Sequence, residues 1–201
     1  MSELPTPTWS GNEFLLPDGR RPTIRTFTPR RAENGELDLD IVIHGEGAAS
    51  EWAGAAEPGM PGAISGPGRG YAIPADTPAF ILAGDETAIP AMSQLLEELP
   101  SAREVHVLVE VAQPEARHEL PAHPGATVEW FELPSGAAPG DALVAAVRDT
   151  DISAGTRVWA AGEAAAVQRI RKHLFEDRGL ERSQATVRGY WKRGRTADGG
   201  D

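Results

Sequence analysis

Along the second half of the chain, apolar positions fall into blocks that alternate between two periods. Phe80, Ile81, Leu82 and Ala83 run without a polar interruption, as in a strand buried on both faces. Residues 88 to 98 then space their apolar side chains along one helical face. The alternation continues through strands predicted at 104 to 110, 127 to 131, 156 to 162 and 184 to 190, with helices at 141 to 148 and 163 to 177. In the last helix Ala166, Ile170 and Leu174 recur at fourfold spacing beside Val167, and Arg178-Gly179 marks the stop. Alternating strands and helices predict a parallel α/β sheet.

Before residue 75 the period shortens to two. Leu37, Leu39, Ile41 and Ile43 alternate with Asp38 and Asp40, which predicts a strand over 36 to 43. Further strands are predicted at 24 to 28 and 62 to 65, with Asn34-Gly35 turning the first two into a hairpin. A short helix is expected over 48 to 56, ended by Pro58-Gly59. The proline-rich stretch 72 to 78 predicts a linker. The expected chain therefore has two parts, antiparallel β over 1 to 74 and parallel α/β over 75 to 201.

Composition narrows the chemistry. The 201 residues are 40% hydrophobic, enough for a real core. A formal net charge of −11 argues against a general nucleic-acid or anionic-membrane binder. That charge is uneven: residues 169 to 195 carry nine Arg or Lys against three Asp or Glu, a local +6 that leaves −17 elsewhere. The basic end suits an anion, or forms a solvated helix face with a basic tail. Cysteine is absent, which excludes disulfides, thiolate zinc sites, iron–sulfur clusters and cysteine nucleophiles. The five histidines show no ligand spacing, so no protein-held metal is expected. The start lacks the basic and apolar regions of a signal peptide, and no apolar run approaches the roughly 20 residues that span a bilayer. The expected location is cytoplasmic, without membrane insertion.

Two local patterns carry candidate chemistry. Gly84-Asp85-Glu86-Thr87 follows the 80 to 83 strand and precedes a helix with Pro90 in its first turn. It is not a phosphate loop, because neither glycine-rich phosphate pattern is present. In open parallel sheets, ligands bind at this carboxyl edge, where Glu110, Gly162 and Glu163 also fall. The alternatives are an ordinary α/β turn capped by Thr87, a solvated Glu110 and a helix-capping Glu163. In the second pattern, 24 to 28, strand alternation sends Arg25 and Phe27 to one face, where a cation and a ring can meet one ligand. An exposed basic strand with one core Phe is the other reading.

Residues 25 to 28 resemble the R-x-Y-[ST] motif of ferredoxin-reductase-like flavoproteins. The wider chain resembles their siderophore-interacting branch, the FAD- and NAD(P)H-dependent ferric-siderophore reductases. The likeness rests on RTFTPRR, IVIHGEGAASEWAGAAEPGMPGAISGPGRG, LAGDETAIPA and VRGYWKRG, whose order and spacing cover nearly all of residues 22 to 194. The fold this implies is a partial antiparallel FAD-binding β-barrel followed by an α/β NAD(P)H-binding domain.

By that resemblance Arg25 would neutralise the FAD pyrophosphate. Phe27 would stack on the flavin where the family has Tyr, flanked by Thr26, with Thr28 near the reactive nitrogen. His44, Gly45, Gly47, Ala49 and Ser50 would lie along the phosphates, helped by amides that open the 48 to 56 helix. Ala48 and Met60 stand where the family usually has Pro and Asp. Gly84, Asp85, Glu86, Thr87, Glu110, Gly162 and Glu163 would form the nicotinamide side. Tyr190 and Trp191, just past the last strand, would shape access to the flavin, with core packing of either ring the alternative. Arg69, Lys192 and Arg193 would dock an anionic ferric siderophore.

Family members carry several strands before the R-x-Y-[ST] element, whereas 24 residues precede Arg25, with room for at most one. A barrel lacking its amino-terminal part is expected. Either upstream sequence is missing or an open edge pairs with a second copy. The implied function is reduction of a ferric siderophore by NAD(P)H through FAD, freeing Fe(II) for iron acquisition. The alternatives are a flavin-free module that binds a siderophore or partner, and an NAD(P)H-dependent flavin or quinone reductase.

Overall fold

A computed structural model describes residues 5–43, 47–66 and 70–194. It shows small antiparallel sheets followed by a five-stranded parallel sheet with helices. The expected order of antiparallel and parallel parts holds.

In the first part, β1 (Thr8–Trp9) pairs with β2 (Phe14–Leu15), and β3 (Arg31–Glu33) pairs with β4 (Glu36–Asp38). The β3–β4 turn is the predicted Asn34-Gly35, both at positive φ, 52° and 81°, as a tight hairpin of this kind requires. Its partner strand differs from expectation: residues 31 to 33 pair with 36 to 38, while 24 to 28 and 62 to 65 enter no sheet. Residues 39 to 43 are likewise unpaired. Alternation specifies which face a side chain takes, but a strand exists only where a neighbour meets its backbone groups. Several apolar residues of these stretches are accordingly exposed, Ile43 by 63% and Ile64 by 78%, while Phe27, Leu39 and Ile41 are half-buried. The two strands within residues 8 to 15 also exceed the single strand expected there. Helix α1 (Ala48–Ala55) forms as predicted.

In the second part, β5 (Ala79–Asp85), β6 (Glu104–Val111), β7 (Ala126–Glu132), β8 (Arg157–Glu163) and β9 (Ala185–Trp191) are all parallel, in spatial order β7-β6-β5-β8-β9. Helix α2 (Ile89–Glu98) covers one face; α3 (Asp141–Asp149) and α4 (Ala164–Lys172) cover the other. Strand β5 serves both cores, sending Phe80 and Leu82 toward α2 and Ile81 and Ala83 toward α3 and α4. The predicted stripe Ala166, Val167, Ile170 and Leu174 is buried. After α4 a π turn, His173–Asp177, completes the predicted span. Leu180 N then donates to Leu174 O across Gly179, whose φ of 69° lets the chain reverse.

The two parts meet at specific bonds. Gln94 Nε2 donates to Pro29 O at 2.6 Å, and Arg30 pairs with Glu97 at 3.0 Å. No helix among the described residues is long and apolar enough to cross a membrane.

Candidate cofactor-binding edge

Strand order reverses beside β5: the chain runs outward through β6 and β7, then returns to place β8 on the other side. The carboxyl ends of β5 and β8 therefore flank the switch-point crevice, where open α/β sheets bind ligands. Asp85 and Glu163 end these two strands, and Glu110 lies near the end of β6.

All three carboxylates are buried, and both oxygens of each are engaged by protein donors. Asp85 Oδ1 accepts from Thr87 N at 3.0 Å and Thr87 Oγ1 at 2.5 Å; Oδ2 accepts from Glu163 N and Trp191 Nε1, both at 2.8 Å. Glu110 accepts from Gly140 N at 2.5 Å and Leu143 N at 2.9 Å, which closes the amino end of α3. Glu163 caps α4 through Ala165 N and Ala166 N and also accepts from Arg193 N. Burial raises the Asp85 and Glu110 pKa values, and the donated hydrogen bonds pull both back toward the ionised form. Glu86 is the partly exposed member, with one oxygen on Ala112 N.

Two sequence expectations change here. Thr87 does not cap the helix: Asp85 caps a short 3-10 turn, Glu86–Ala88, and Thr87 donates into it, because a carboxylate can accept from the amide and the hydroxyl together. Glu110 is not solvated but buried, 3% exposed, since α3 starts directly over the end of β6. The capping reading of Glu163 is the observed geometry.

The glycines follow from these approaches. A methyl group on Gly162, whose φ is 150°, would lie 2.5 Å from Asp85 Oδ2. On Gly140, at φ 84°, it would lie 2.1 Å from Ala166 Cβ. Gly140 escaped the sequence reading, although a Gly directly before the Asp that opens a helix was the available signal. Gly84 faces Ala88 and Ala161 O rather than open space.

At the other side of the edge, β9 contains a bulge. Gly189 pairs with Gly162 and Trp191 with Glu163, leaving Tyr190 as the extra residue. Both aromatic residues thus belong to β9 rather than following it. The bulge sends the two rings to different neighbours: Trp191 Nε1 donates to Asp85, while Tyr190 lies near the Thr28 side chain with its ring edge-on to Trp159 at 6.4 Å. Burial raises the Tyr190 pKa, against a lowering effect of the nearby Thr28 side chain. Residues 28 and 190, both singled out as flavin-side, are brought together.

Comparison with known proteins resolves what this arrangement belongs to. Residues 77–194 match the siderophore-interacting protein model, and residues 2–71 match the siderophore-interacting FAD-binding domain. The chain belongs to the siderophore-interacting protein family. It is 36% identical to an uncharacterised protein of Mycobacterium tuberculosis, over 98% of this chain and 75% of the relative. It is 31% identical to the ferric vibriobactin reductase ViuB of Vibrio cholerae, over 97% and 73% respectively. Among solved structures, the siderophore-interacting protein SipS of Aeromonas hydrophila superposes with a TM-score of 0.73 at 33% identity, covering 94% of this chain and 81% of SipS.

The flavin-side residues of this siderophore-interacting protein fit the group that the matched domain binds. The Arg25 guanidinium donates to Ile24 O and pairs with no carboxylate among the described residues. Phe27 and Thr28 are half-buried beside it, and Thr26 is exposed. Helix α1 opens at Gly47 with no side-chain cap, so its first-turn amides, Ala49 among them, suit an anion. Ser50 is buried and donates to Val42 O, which turns its hydroxyl inward. This is a cation, a ring and the opening amides of a helix, the donor set for an aromatic ring system carrying phosphates. Along the carboxyl edge of the parallel sheet the buried carboxylates are occupied, so a ligand there would meet the backbone of the 84–88 and 162–164 turns. Lys192 and Arg193 are exposed just past β9. His44, Gly45 and Arg69 lie outside the described residues.

Proposed function

We propose that this chain is a flavin-dependent reductase that uses NAD(P)H to reduce the iron of a ferric siderophore. Residues 1–74 would hold FAD and residues 75–201 NAD(P)H. Bound FAD supplies the conversion of a hydride, two electrons at once, into the single electrons that iron accepts. Each NAD(P)H oxidised would reduce two Fe(III) to Fe(II) and release one proton. The hard oxygen donors of siderophores hold Fe(II) far less tightly, so the protein need not ligate the metal.

The observation that carries this reading is the hydrogen bond from Gln94 Nε2 to Pro29 O at 2.6 Å, next to Thr28. It ties the segment that resembles the flavin motif to α2, the helix that follows the switch-point turn, so that donor and acceptor sides of an electron transfer would adjoin. The similarity to ViuB, which its name describes as a ferric vibriobactin reductase, supports the substrate class. In this reading Arg25 neutralises the pyrophosphate, Phe27 covers the ring and Thr28 lies near the flavin's reactive nitrogen. Asp85, Glu110 and Glu163 keep the nicotinamide-side turns in place, and Lys192 and Arg193 attract the anionic chelate.

The test is anaerobic reduction of a ferric catecholate or hydroxamate by NAD(P)H after reconstitution with FAD, with Fe(II) trapped by a colorimetric chelator. Flavin-dependent Fe(II) formation is expected. A chain that takes up no flavin while still binding the siderophore would instead be a binding module. Equal rates with iron chelates and quinones would make it a general acceptor reductase.

A further inference from the structure

We propose that Arg117 recognises the 2′-phosphate of NADPH, so that this chain takes NADPH in preference to NADH. The inference rests on the reading of the carboxyl edge as a nicotinamide-dinucleotide site, and adds the choice between the two dinucleotides.

Dinucleotide folds that take NAD keep an acidic residue near the end of the second strand to accept a hydrogen bond from the ribose 2′-hydroxyl, and those that take NADP use a nearby arginine. Glu110 is the acid near the end of β6, the second strand of this sheet. Its two oxygens are turned onto Gly140 N and Leu143 N, and at 3% exposure it is out of reach of a ribose. Asp85 and Glu163 are occupied in the same way.

Arg117 meets the other half of the requirement. It follows β6 by six residues, and its guanidinium reaches Glu132 Oε1, at the end of β7, at 2.6 Å. The pair therefore stands on the carboxyl edge of the sheet, and its side chains are 42% and 51% exposed. The loop is not loose at this point. Residues Pro114–Ala116 form a 3-10 turn closed by Arg117 N on Pro114 O, and Ala116 and Leu120 pack against the core on the α2 face. The arginine is thus anchored on both sides with its head group outward. A guanidinium that pairs with a carboxylate can pair with a phosphate in its place, forking onto two of its oxygens, and the phosphate offers more charge. Glu132 holds Arg117 until the phosphate displaces it.

Binding of 2′,5′-ADP and 5′-AMP, which differ only in that phosphate, tests the assignment by calorimetry without any turnover. The FAD-reconstituted protein is expected to bind 2′,5′-ADP about tenfold or more tightly than 5′-AMP. Arg117→Ala should abolish that preference and leave 5′-AMP unchanged. Glu132→Gln, which frees the arginine, should tighten 2′,5′-ADP alone. The ratio of KM for NADH to KM for NADPH should move in parallel in both variants. Binding of both nucleotides with no preference, or a preference that survives in Arg117→Ala, would overturn this proposal while leaving the dinucleotide site standing. Failure of both nucleotides to bind a flavin-loaded protein would overturn the dinucleotide site itself and this proposal with it.

Discussion

The indole N–H of Trp191 donates to Asp85 Oδ2 at 2.8 Å, across 106 residues of sequence, and joins the last strand of the parallel sheet to the turn after its first. The contact lets the carboxyl-terminal strand hold the shape of the switch-point turn. Trp191→Phe keeps the ring and removes the donor from a buried carboxylate. It should lower stability by about 1.5–3 kcal/mol, the usual worth of a hydrogen bond to a charged group. Urea denaturation measures the loss, and an unchanged midpoint would show that the bond contributes nothing net.

Gly162 is required by the same carboxylate. Gly162→Ala would place a methyl group 2.5 Å from Asp85 Oδ2 at a φ of 150°. The strained backbone alone costs about 1–3 kcal/mol. A clear drop in Tm is expected, larger than for Gly179→Ala, where φ is 69° but no atom lies within 4 Å of the added carbon.

The buried acids set a pH dependence. The Asp85 and Glu110 pKa values are raised in the folded protein, chiefly by burial. Between their unfolded and folded values the native state binds more protons than the unfolded chain, so their contribution is full at low pH and is lost as pH rises through the folded values. Asp141, whose pKa is lowered by Arg169, acts in the opposite sense as pH falls. Chemical denaturation from pH 4 upward should therefore show a decline that is shallower in Asp85→Asn. An identical slope in the variant would remove Asp85 as its source.

On the flavin side, Arg25→Ala should weaken FAD binding about ten- to a hundredfold, the worth of a charge-assisted hydrogen bond to phosphate. Flavin titration of a folded variant gives the answer. Unchanged affinity would return Arg25 to the ordinary surface charges.

Lys192 and Arg193 are exposed beside the edge that Tyr190 and Trp191 close. Changing both to Ser should slow reduction of an anionic ferric chelate at low salt and barely alter reduction of a small neutral acceptor. The gap should narrow as salt rises, because exposed charges are screened beyond about 8 Å at physiological ionic strength. Equal rates on the anionic chelate at low salt, with flavin content matched, would exclude these residues from docking.

What the sequence determined by itself was the parallel half of the molecule. Continuous apolar runs such as 80 to 83 and the fourfold stripe from Ala166 to Leu174 can bury their side chains in only one way, so local pattern and tertiary structure agree. The Asn34-Gly35 turn was equally legible, because few residue pairs adopt two successive positive φ values. The amino-terminal strands were not, since alternation over 24 to 28 or 62 to 65 names a face but supplies no partner for the backbone. The roles of the site carboxylates also escaped the pattern. Position alone put Asp85, Glu110 and Glu163 at the carboxyl edge, but their hydrogen bonds come from residues 2 to 106 positions away. Only the folded sheet decides that these acids face inward onto main-chain donors and, for Asp85, also onto the Thr87 hydroxyl and the Trp191 indole, because a carboxylate taken from water is stable only where such donors converge on it.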